Sequence, residues 1–530
     1  MVHLKIDNRE IDVKEGTTLL AAASEAGISI PSMCYYEGYG NHPSCMVCLV
    51  KDNRNGAMVP SCSIEAKDGM DISASSDDVK EARRQSLELL MSDHVGDCEA
   101  PCSLACPAGM DIPLMNRLIG DGKFTDALNV VKETIALPYV LGFICPAPCE
   151  KACRRKQVDE AVSVCLLKRV TAQYGTDERA EAASYENKQV ISSGKKVGII
   201  GTGPAGLAAA YYLLLKGHSC TLFDKAEEAG GTMRYSIPDE ELPKNIIDKE
   251  VDIIRSLGGT FKMNSLITEE IFNTQIRPAF DAIIFATGDI SAFSHLNGVA
   301  ELTKNGFLVN EKNMATSVEG IFVCGSAIRA HKMAVRSVAQ GKTAAESVHH
   351  FLQDLKYEKP EKMFNSRFDK LLNPEFDEYL KESTRTGRSN PSGGYLEGFT
   401  KVEAVREALR CLHCDCRKKD NCKLRNFSEE YKVDRKRYIV SGRKTLTKQM
   451  QHDIVVFEPE KCIKCGLCID ISAAEGEQFG LAFEGRGFDV QITSPIGSTF
   501  NEGMIHSAEK CVTACPTGAL SFKKDSHTFY

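Results

Sequence analysis

Residues 196–206 read Lys-Val-Gly-Ile-Ile-Gly-Thr-Gly-Pro-Ala-Gly. The apolar run at the start predicts a buried β-strand, and the glycine-rich turn after it leads into an apolar helix over 207–215. A second predicted strand, 220–223, ends at Asp224, which stands where such nucleotide sites bind a ribose hydroxyl. Gly203 would let the backbone approach a pyrophosphate seated on the helix N-terminus. The stretch therefore predicts a Rossmann-like domain that binds a dinucleotide.

The chain around this stretch is long and rich in cysteine. Its length of 530 residues predicts several domains. The N-terminus does not resemble a secretion signal, so we do not expect the 22 cysteines to form disulfides. A net charge of -7 without a single-sign tail gives no indication of a nucleic-acid partner. The longest apolar stretch, 135–145, is about half of the roughly 20 residues that a membrane span needs. We expect a soluble, cytoplasmic protein without a membrane span.

The first cysteine group follows a predicted hairpin over 4–13 and a short helix over 18–26. Its members are Cys34, Cys45, Cys48 and Cys62. Three thiolates on one loop and a fourth from a later strand suit a [2Fe-2S] cluster, with zinc as the alternative. The stretch, including Ile30–Tyr35 and Val59–Cys62, resembles the N-terminal ferredoxin domain of the large iron–sulfur subunit of NADH-quinone oxidoreductase and of iron-only hydrogenases. That resemblance implies a β-grasp fold.

The second group consists of two cysteine-rich segments, which begin at His94 and at Cys145. Its candidate ligands are His94, Cys98, Cys102, Cys106, Cys145, Cys149, Cys153 and Cys165. The segments resemble the helical domain of the glutamate synthase small subunit and of dihydropyrimidine dehydrogenase, which implies two interleaved [4Fe-4S] clusters. By that resemblance, one cluster takes Cys98, Cys102 and Cys153. The other takes Cys106, Cys145 and Cys149.

Each of these two sets lacks one ligand. In the second set, Lys168 stands where the family has a glutamine or glutamate, and Cys165, on the same helical face, could replace that ligand. In the first set, His94 stands near the place of a missing cysteine. Hydrogenase-type proteins also have a cluster-binding histidine at about this point. A histidine that binds no metal is the alternative.

A third group is compact and lies after a predicted helix over 402–409. Its members are Cys411, Cys414, Cys416 and Cys422. Residues 401–450 around it carry 15 Lys or Arg against 7 Asp or Glu, which indicates either a solvated basic face or cations that offset anionic clusters. Four thiolates within twelve residues can hold one [4Fe-4S] cluster or one zinc. We predict the iron–sulfur cluster because the neighbouring modules are redox modules.

The last group follows a ferredoxin pattern in which a cysteine before proline completes a cluster. Its members are Cys462, Cys465, Cys468 and Cys515. A second cluster would need cysteines where Ser472, Ile505 and Ala508 stand. The pattern therefore predicts one [4Fe-4S] cluster and leaves Cys511 as a spare thiol. Cys220 and Cys324 lie in strand-like apolar runs and are predicted to be core residues.

The nucleotide domain resembles the FAD domain of the glutamate synthase small subunit and of the bifurcating NADPH:ferredoxin transhydrogenase. The FAD contacts that this resemblance implies are Gly201, Gly203, Pro204, Ala205, Gly206, Asp224, Lys225, Gly230, Gly231, Arg234, Ile237, Ala286, Thr287, Gly288, Gly325, Ser326, Met333 and Ala334. Ser326 replaces the aspartate that usually binds the ribityl chain, which would weaken flavin binding. A helix beginning near Met333 would point its N-terminal amides at the flavin carbonyl and favour the anionic reduced flavin.

The relatives carry an NAD(P)H domain between two elements that are close together here. Gly288 and Gly320 are 32 positions apart. One βαβ unit alone needs about 30 residues, and the chain has no second glycine fingerprint. We therefore expect no dedicated pyridine-nucleotide site in this polypeptide.

The predicted fold class is multidomain α/β and α+β. The predicted domains are a β-grasp 2Fe-2S ferredoxin (1–85), a helical domain with two [4Fe-4S] clusters (86–190), a Rossmann-like FAD domain (191–355), a linker (356–400), a basic cysteine module with a [4Fe-4S] cluster (401–450) and a ferredoxin-like domain with one [4Fe-4S] cluster (451–530). The cofactors are thus FAD, one 2Fe-2S cluster and four 4Fe-4S clusters.

This order of domains predicts an electron-transfer subunit of an anaerobic oxidoreductase complex. The expected partners are a catalytic subunit of hydrogenase, formate or aldehyde oxidoreductase type and an NADH- or ferredoxin-linked subunit, because no catalytic residue constellation stands out in this chain. Three alternatives remain open at this point. The flavin bifurcates electrons, the chain alone reduces a small substrate, or the cofactors are remnants in a scaffold.

Overall fold

The computed structural model describes residues 1–39, 42–183, 191–288, 300–361, 363–368, 370–438, 442–495 and 497–523. It divides into two compact units. The first unit comprises Met1–Glu99, Lys362–Glu382 and Cys414–Tyr530, and the second comprises Ala100–Glu361 and Ser383–His413. The predicted segments 86–190 and 401–450 are therefore each divided between the units. The predicted boundary at 190 lies outside the described residues.

The N-terminal part of the first unit is a five-stranded mixed sheet with two helices. Its elements are β1 (Val2–Ile6), β2 (Arg9–Val13), α1 (Leu19–Glu25), β3 (Leu49–Asp52), β4 (Ala57–Pro60), β5 (Met70–Ser73) and α2 (Asp77–Ser92). The strand order is β2-β1-β5-β3-β4, in which only β1 and β5 pair in parallel. Asp7 and Asn8, both with positive φ, close the predicted hairpin between β1 and β2.

The second unit begins with seven short helices. They are α3 (Pro101–Ala105), α4 (Ile112–Gly120), α5 (Phe124–Lys132), α6 (Pro138–Ile144), α7 (Pro148–Lys151), α8 (Val164–Tyr174) and α9 (Glu178–Ala183). Prolines at the first position start α3, α6 and α7, where the missing N–H costs no helical hydrogen bond. The cysteines lie at helix ends: Cys106 directly follows α3 and Cys145 directly follows α6.

The Rossmann-like domain follows and confirms the prediction from residues 196–206. Its elements are β6 (Lys196–Ile200), α10 (Pro204–Leu215), β7 (Ser219–Phe223), α11 (Thr232–Tyr235), α12 (Lys244–Ser256), β8 (Thr260–Lys262), α13 (Glu269–Ile271), β9 (Ala282–Phe285), β10 (Leu302–Thr303), β11 (Gly306–Phe307), β12 (Ile321–Val323) and α14 (Ala334–Phe351). The five-stranded sheet is parallel, in the order β12-β9-β6-β7-β8. Cys220 and Cys324 are buried in this domain, as predicted.

The remaining helices and strands complete both units. The first unit contains α15 (Asn373–Leu380), which lies in the predicted linker; α16 (Lys401–Ala408) belongs to the second unit. The other elements of the first unit are α17 (Lys423–Glu430), β13 (Val455–Phe457), α18 (Leu467–Ala474), β14 (Ala482–Glu484), β15 (Gln491–Thr493), α19 (Ala508–Ala514) and β16 (Leu520–Phe522). Strand β13 pairs antiparallel with β16, and β14 with β15. Among the described helices, none combines the length and apolar character that a membrane crossing requires.

Helices α10 and α14 approach each other closely in the second unit because glycine replaces a side chain at their contact. A Cβ atom added to Gly341 would lie 2.3 Å from the Ala205 carbonyl oxygen. Ala205 belongs to the first turn of α10, directly after the glycine-rich turn. The close contact therefore fixes the part of α10 that would face a bound dinucleotide.

The substitution Gly341→Ala should destabilise the second unit by about 1–3 kcal/mol, because the added methyl group overpacks a backbone contact. Thermal or urea unfolding of the full chain measures this effect. Gly387→Ala is the matched control, since no heavy atom lies within 4 Å of a Cβ added there. Equal stabilities of the two variants would contradict the packing argument.

Candidate redox centres

The N-terminal cysteines form one buried group in the first unit. Cys34, Cys45, Cys48 and Cys62 all belong to the hydrophobic core of the sheet domain. Hydrogen bonds with the Cys45 and Cys62 thiols lower the pKa of Cys34 well below its usual range. A hydrogen bond with Cys62 lowers the pKa of Cys48 to about 6. Part of the group thus favours the thiolate form, which is the form that binds iron.

Backbone N–H groups also point at these sulfur atoms. The amides of Ser44 and Val47 donate to the Cys34 and Cys45 Sγ atoms, each at 3.5 Å. Such donors stabilise negative charge on thiolates. A buried set of four sulfur donors with amide donors around it fits a [2Fe-2S] cluster.

The ferredoxin-pattern cysteines form a second group in the same unit. Cys462 and Cys465 precede α18, Cys468 lies in its first turn, and Cys515 directly follows α19. Burial is the largest cause that raises the pKa of Cys462 to about 12, and the nearby Cys515 is the second. The pKa of Cys468 is raised by burial and by the other thiols of the group. The four donors are therefore neighbours in a partly buried environment, which fits one [4Fe-4S] cluster.

Two residues near this group, Ser472 and Cys511, have structural contacts of their own. The Ser472 hydroxyl donates to the Ile469 carbonyl at 2.9 Å and accepts from the Leu481 amide at 3.0 Å, so it holds the fold. Cys511 is buried, and its thiol donates to the Cys468 carbonyl at 3.6 Å. The side chain of Cys511 thus serves packing in this structure.

The two thiol groups of the first unit are close to one another. Cys465 packs against the hydrophobic core that contains Cys34. Cys34 is also among the groups that raise the pKa of Cys465, after the effects of burial and of Cys515. Clusters held by these two groups would therefore lie next to each other.

A third thiol group surrounds a lysine in the second unit. Cys106, Cys145, Cys149 and Cys165 all act on the pKa of Lys168. Burial alone would lower the pKa of this lysine, but the thiols raise it above its ordinary value. A hydrogen bond with Cys165 and burial raise the pKa of Cys145. Cys165 therefore lies where a replacement fourth ligand would have to be, with a buried cation beside the site.

Other predicted ligands are distributed over both units. Cys102, Cys153 and Cys411 belong to the second unit, whereas His94, Cys98, Cys414, Cys416 and Cys422 belong to the first. The predicted compact group over 411–422 is therefore divided at His413. Within the described residues, no three His, Cys, Asp or Glu side chains converge in the geometry of a single metal ion. What the thiol groups share is donor chemistry and burial.

The glycine-rich turn has the shape of a nucleotide cradle. A Cβ atom added to Gly206 would lie 2.0 Å from the Gly201 carbonyl oxygen, and one added to Gly201 would lie 2.4 Å from that of Ala286. A Cβ atom added to Gly203, in contrast, would meet no heavy atom within 4 Å. The turn is thus tight on its inner side and open at Gly203, where a pyrophosphate would bind.

Polar groups around the cradle have different roles. Asp224 accepts from the Thr202 amide and hydroxyl, at 2.8 and 2.7 Å, and so braces the turn. Arg234 donates to the Ala229 carbonyl and pairs with Glu228 and Asp248, so its guanidinium is engaged by the protein itself. The Thr287 hydroxyl is buried and finds no hydrogen-bond partner among the described residues. An orphaned hydroxyl at this position fits a missing polar ligand.

The remaining predicted contacts belong to the same Rossmann-like domain. Gly230 and Gly231 both have positive φ, and a Cβ added to Gly231 would lie 2.8 Å from Gly203 Cα. Lys225 is exposed. Ile237 is half-buried, and the Ile237 carbonyl accepts a hydrogen bond from the Lys244 side chain. Gly288 has positive φ, and Pro204 opens α10.

The last predicted contacts lie at the start of α14. Met333 is the N-cap of this helix and Ala334 its first residue, close to the predicted start. The Gly325 amide donates to Gln340 Oε1 at 3.0 Å, and the Ser326 hydroxyl contacts the His331 carbonyl at 3.5 Å. No motif in the sequence indicated Gln340, whose side chain fixes the loop before α14.

A cavity of about 630 Å³ lies beside this helix start. Its lining includes Arg329, His331, Arg336 and Pro107. Pro107 directly follows Cys106 of the third thiol group. A flavin ring near the start of α14 would therefore have cationic groups beside it and a cluster ligand within one residue of the cavity wall.

Three family models match parts of the chain. Residues 1–77 match a 2Fe-2S iron-sulfur cluster binding domain, and residues 75–180 match domain II of dihydropyrimidine dehydrogenase, a 4Fe-4S cluster domain. Residues 199–266 match an NAD(P)-binding Rossmann-like domain. The chain thus carries 2Fe-2S, 4Fe-4S and Rossmann-like domains. Of the predicted domain types, the 2Fe-2S, the 4Fe-4S and the Rossmann-like domains are confirmed.

Curated relatives share the central region. The beta subunit of an NADP(+)-dependent formate dehydrogenase from Moorella thermoacetica is 37% identical over 207 residues, which are 36% of this chain and 29% of that protein. The beta subunit of an NADPH-Fe(3+) oxidoreductase from Geobacter sulfurreducens (strain DL-1 / KN400) is 37% identical over 191 residues, 36% of this chain and 28% of that protein. The Bacillus subtilis (strain 168) glutamate synthase [NADPH] small chain is 36% identical over 183 residues, 34% of this chain and 36% of that protein. The chain thus spans about a third of the length of these relatives, and the predicted resemblance to the glutamate synthase small chain is confirmed.

Replacing Lys168 by Met should lower the reduction potential of a cluster bound by the third thiol group. The loss of a buried positive charge makes the reduced, more negative cluster less stable, and we expect a shift on the order of 60 mV, a tenfold change in a one-electron equilibrium. A redox titration followed by electron paramagnetic resonance measures the potential. Lys168→Arg keeps the charge and should shift it much less. Equal potentials in both variants would show that Lys168 does not act on a cluster.

Proposed function

We propose that this chain is an FAD- and iron–sulfur-containing electron-transfer subunit of a cytoplasmic, anaerobic, multi-subunit oxidoreductase. Electrons enter from one partner subunit and leave to another. The expected partners are a catalytic subunit, of hydrogenase, formate or aldehyde oxidoreductase type, and an NADH- or ferredoxin-linked subunit. The formate dehydrogenase and Fe(3+) oxidoreductase relatives are named as subunits of such enzymes, which supports this proposal.

The observation that carries the proposal is the close placement of donor groups within each unit. In the second unit, Pro107 links the third thiol group to the cavity at the start of α14. In the first unit, Cys465 packs beside the core that contains Cys34. Short gaps between centres suit electron relay, whereas a hydrolase would need a nucleophile with a paired base.

FAD, when bound, supplies an exchange between two-electron and one-electron transfer. The chain's own residues bind and orient it. The open face at Gly203 receives the pyrophosphate, Asp224 keeps the turn in shape, and the α14 N-terminus places positive dipole ends toward the ring. The cationic side chains of Arg329 and Arg336 favour an anionic reduced form beside the cavity.

The anaerobically purified full chain should contain one FAD and roughly 18 irons, the sum of one [2Fe-2S] and four [4Fe-4S] clusters. Dithionite should bleach both the flavin and the clusters, and partner subunits should copurify from the native cell. Reoxidation of the reduced chain by a copurified partner would then show relay. Steady turnover of a small substrate by the isolated chain, or cofactors that no partner reoxidises, would contradict the proposal.

Gly203→Val should reduce the FAD content at least tenfold while the iron content is retained. The valine side chain would occupy the open face of the turn, where no heavy atom of a described residue lies within 4 Å of an added Cβ. Acid-released flavin and iron, measured on the same sample, give both numbers. Ser326→Asp is the companion variant, and it should retain or strengthen flavin binding. Full flavin content in Gly203→Val would place the cofactor elsewhere.

A further inference from the structure

Three segments that are far apart in the sequence meet in the first unit. They are residues 94–98, 416–422 and 516–518. The Cys416 amide donates to the Cys98 carbonyl at 3.1 Å, and the Cys422 Sγ lies 3.8 Å from the Pro516 carbonyl oxygen. A Cβ atom added to Gly518 would lie 2.1 Å from the Cys416 Sγ.

The three thiols at this meeting point are buried and close to one another. Cys98, Cys416 and Cys422 are 8%, 6% and 6% exposed. The pKa of Cys98 is raised to about 11 and that of Cys422 to about 12. In both cases burial is the largest cause and the nearby Cys416 thiol is the second. The Ser366 amide donates to the Cys98 Sγ at 3.4 Å, as amides do to cluster sulfurs.

His94 reaches the same place through a second set of contacts. The Val95 amide donates to the Glu460 carbonyl at 2.9 Å, and the stem of Lys461 packs against Gly96. Lys461 is in turn a neighbour of both Cys98 and Cys416. The Nδ1 atom of His94 is buried and has no hydrogen-bond partner among the described residues. Lys461 is thus a shared neighbour of His94, Cys98 and Cys416, and an unpartnered imidazole nitrogen at this place has the chemistry of a metal ligand.

We propose that His94, Cys98, Cys416 and Cys422 bind a single [4Fe-4S] cluster. Its ligands come from two stretches of the chain, and the whole of the second unit lies between these stretches in the sequence. This assignment differs from both sequence predictions, which placed Cys98 with Cys102 and Cys153 and placed Cys416 and Cys422 with Cys411 and Cys414. It rests on the proposed function, since it reassigns the ligands of one centre in that electron relay.

The composition and position of the site indicate its role. A neutral imidazole in place of one thiolate makes a cluster less negative, and in Rieske centres histidine ligands raise the reduction potential. The buried cation of Lys461, paired with Glu458 at 2.6 Å, lies beside the site. The turn over 516–518 directly follows Cys515, a ligand of the ferredoxin-pattern group. The site would therefore accept electrons readily and exchange them with the neighbouring ferredoxin cluster.

Non-additive iron loss tests the proposal. In the full chain purified without oxygen, Cys98→Ala and Cys416→Ala should each lose one cluster, about 4 of roughly 18 irons. The double variant should lose no more than either single variant, because both residues hold the same cluster. Two separate clusters would instead lose about 8 irons in the double variant. That outcome, or no loss in either single variant, overturns the proposal. Cys220→Ala, a buried cysteine outside every thiol group, is the matched control.

Serine variants keep the test decisive if the alanine variants do not fold. Serine can bind iron through oxygen, so Cys98→Ser, Cys416→Ser and Cys422→Ser should each shift the paramagnetic resonance of one and the same reduced cluster. Labelling histidine with ¹⁵N should change the nitrogen hyperfine coupling of that signal, and His94→Ala should abolish the coupling. Shifts in two different signals, or a coupling that survives in His94→Ala, overturn the proposal.

These readouts do not depend on electron relay. If the cluster is found and no partner subunit exchanges electrons with the chain, the proposed function fails and the assignment of ligands stands. If partners do exchange electrons with the chain and the double variant loses two clusters, the ligand assignment fails and the proposed function stands.

Discussion

Buried sulfur is the constraint on which the first unit depends. The thiols of Cys34, Cys45, Cys48 and Cys62 are core residues of its sheet domain, and Cys422 belongs to the same hydrophobic cluster. Ionised thiols in an apolar interior repel one another and lose hydration, which is why burial raises the pKa of Cys465 and Cys468. Amide donors and buried lysines such as Lys461 offset part of that cost. A core built in this way is suited to positive iron ions at its centre.

The second unit depends on backbone contact instead. Gly206 and Gly341 let the turn, α10 and α14 approach one another without intervening side chains. The same closeness leaves Gly203 open to a ligand. The second unit also contains a buried cation, Lys168. The thiols around it raise the pKa of this lysine and so favour its protonated form.

Local sequence patterns were sufficient to predict much of the fold. The glycine fingerprint and the strand before it indicated the Rossmann-like domain, and Asp7-Asn8 indicated the first hairpin, because turn and strand chemistry act over a few residues. The meeting of Cys98 with Cys416 was not predictable, since nothing in either segment encodes a partner over 300 positions away. The pairing of Arg234 with Glu228 and Asp248 was not predictable from the motif either, and its expected flavin contact stays a prediction. Spacing within a motif says which residues are ligands, and only the fold says which of them share a site.

The discontinuous first unit has a consequence for synthesis. Its core combines Leu4 and Leu87 with Leu424 and Val433, so the N-terminal domain cannot finish packing until the ribosome has made the second unit and moved beyond it. At roughly 5–20 residues per second, the N-terminal cysteines wait for some tens of seconds before their late neighbours emerge. During that interval the thiols are open to oxidants and to stray metals. While it makes this protein, a cell therefore needs either strictly reducing conditions or a factor that protects the thiols of the nascent chain from oxidation and from metal binding.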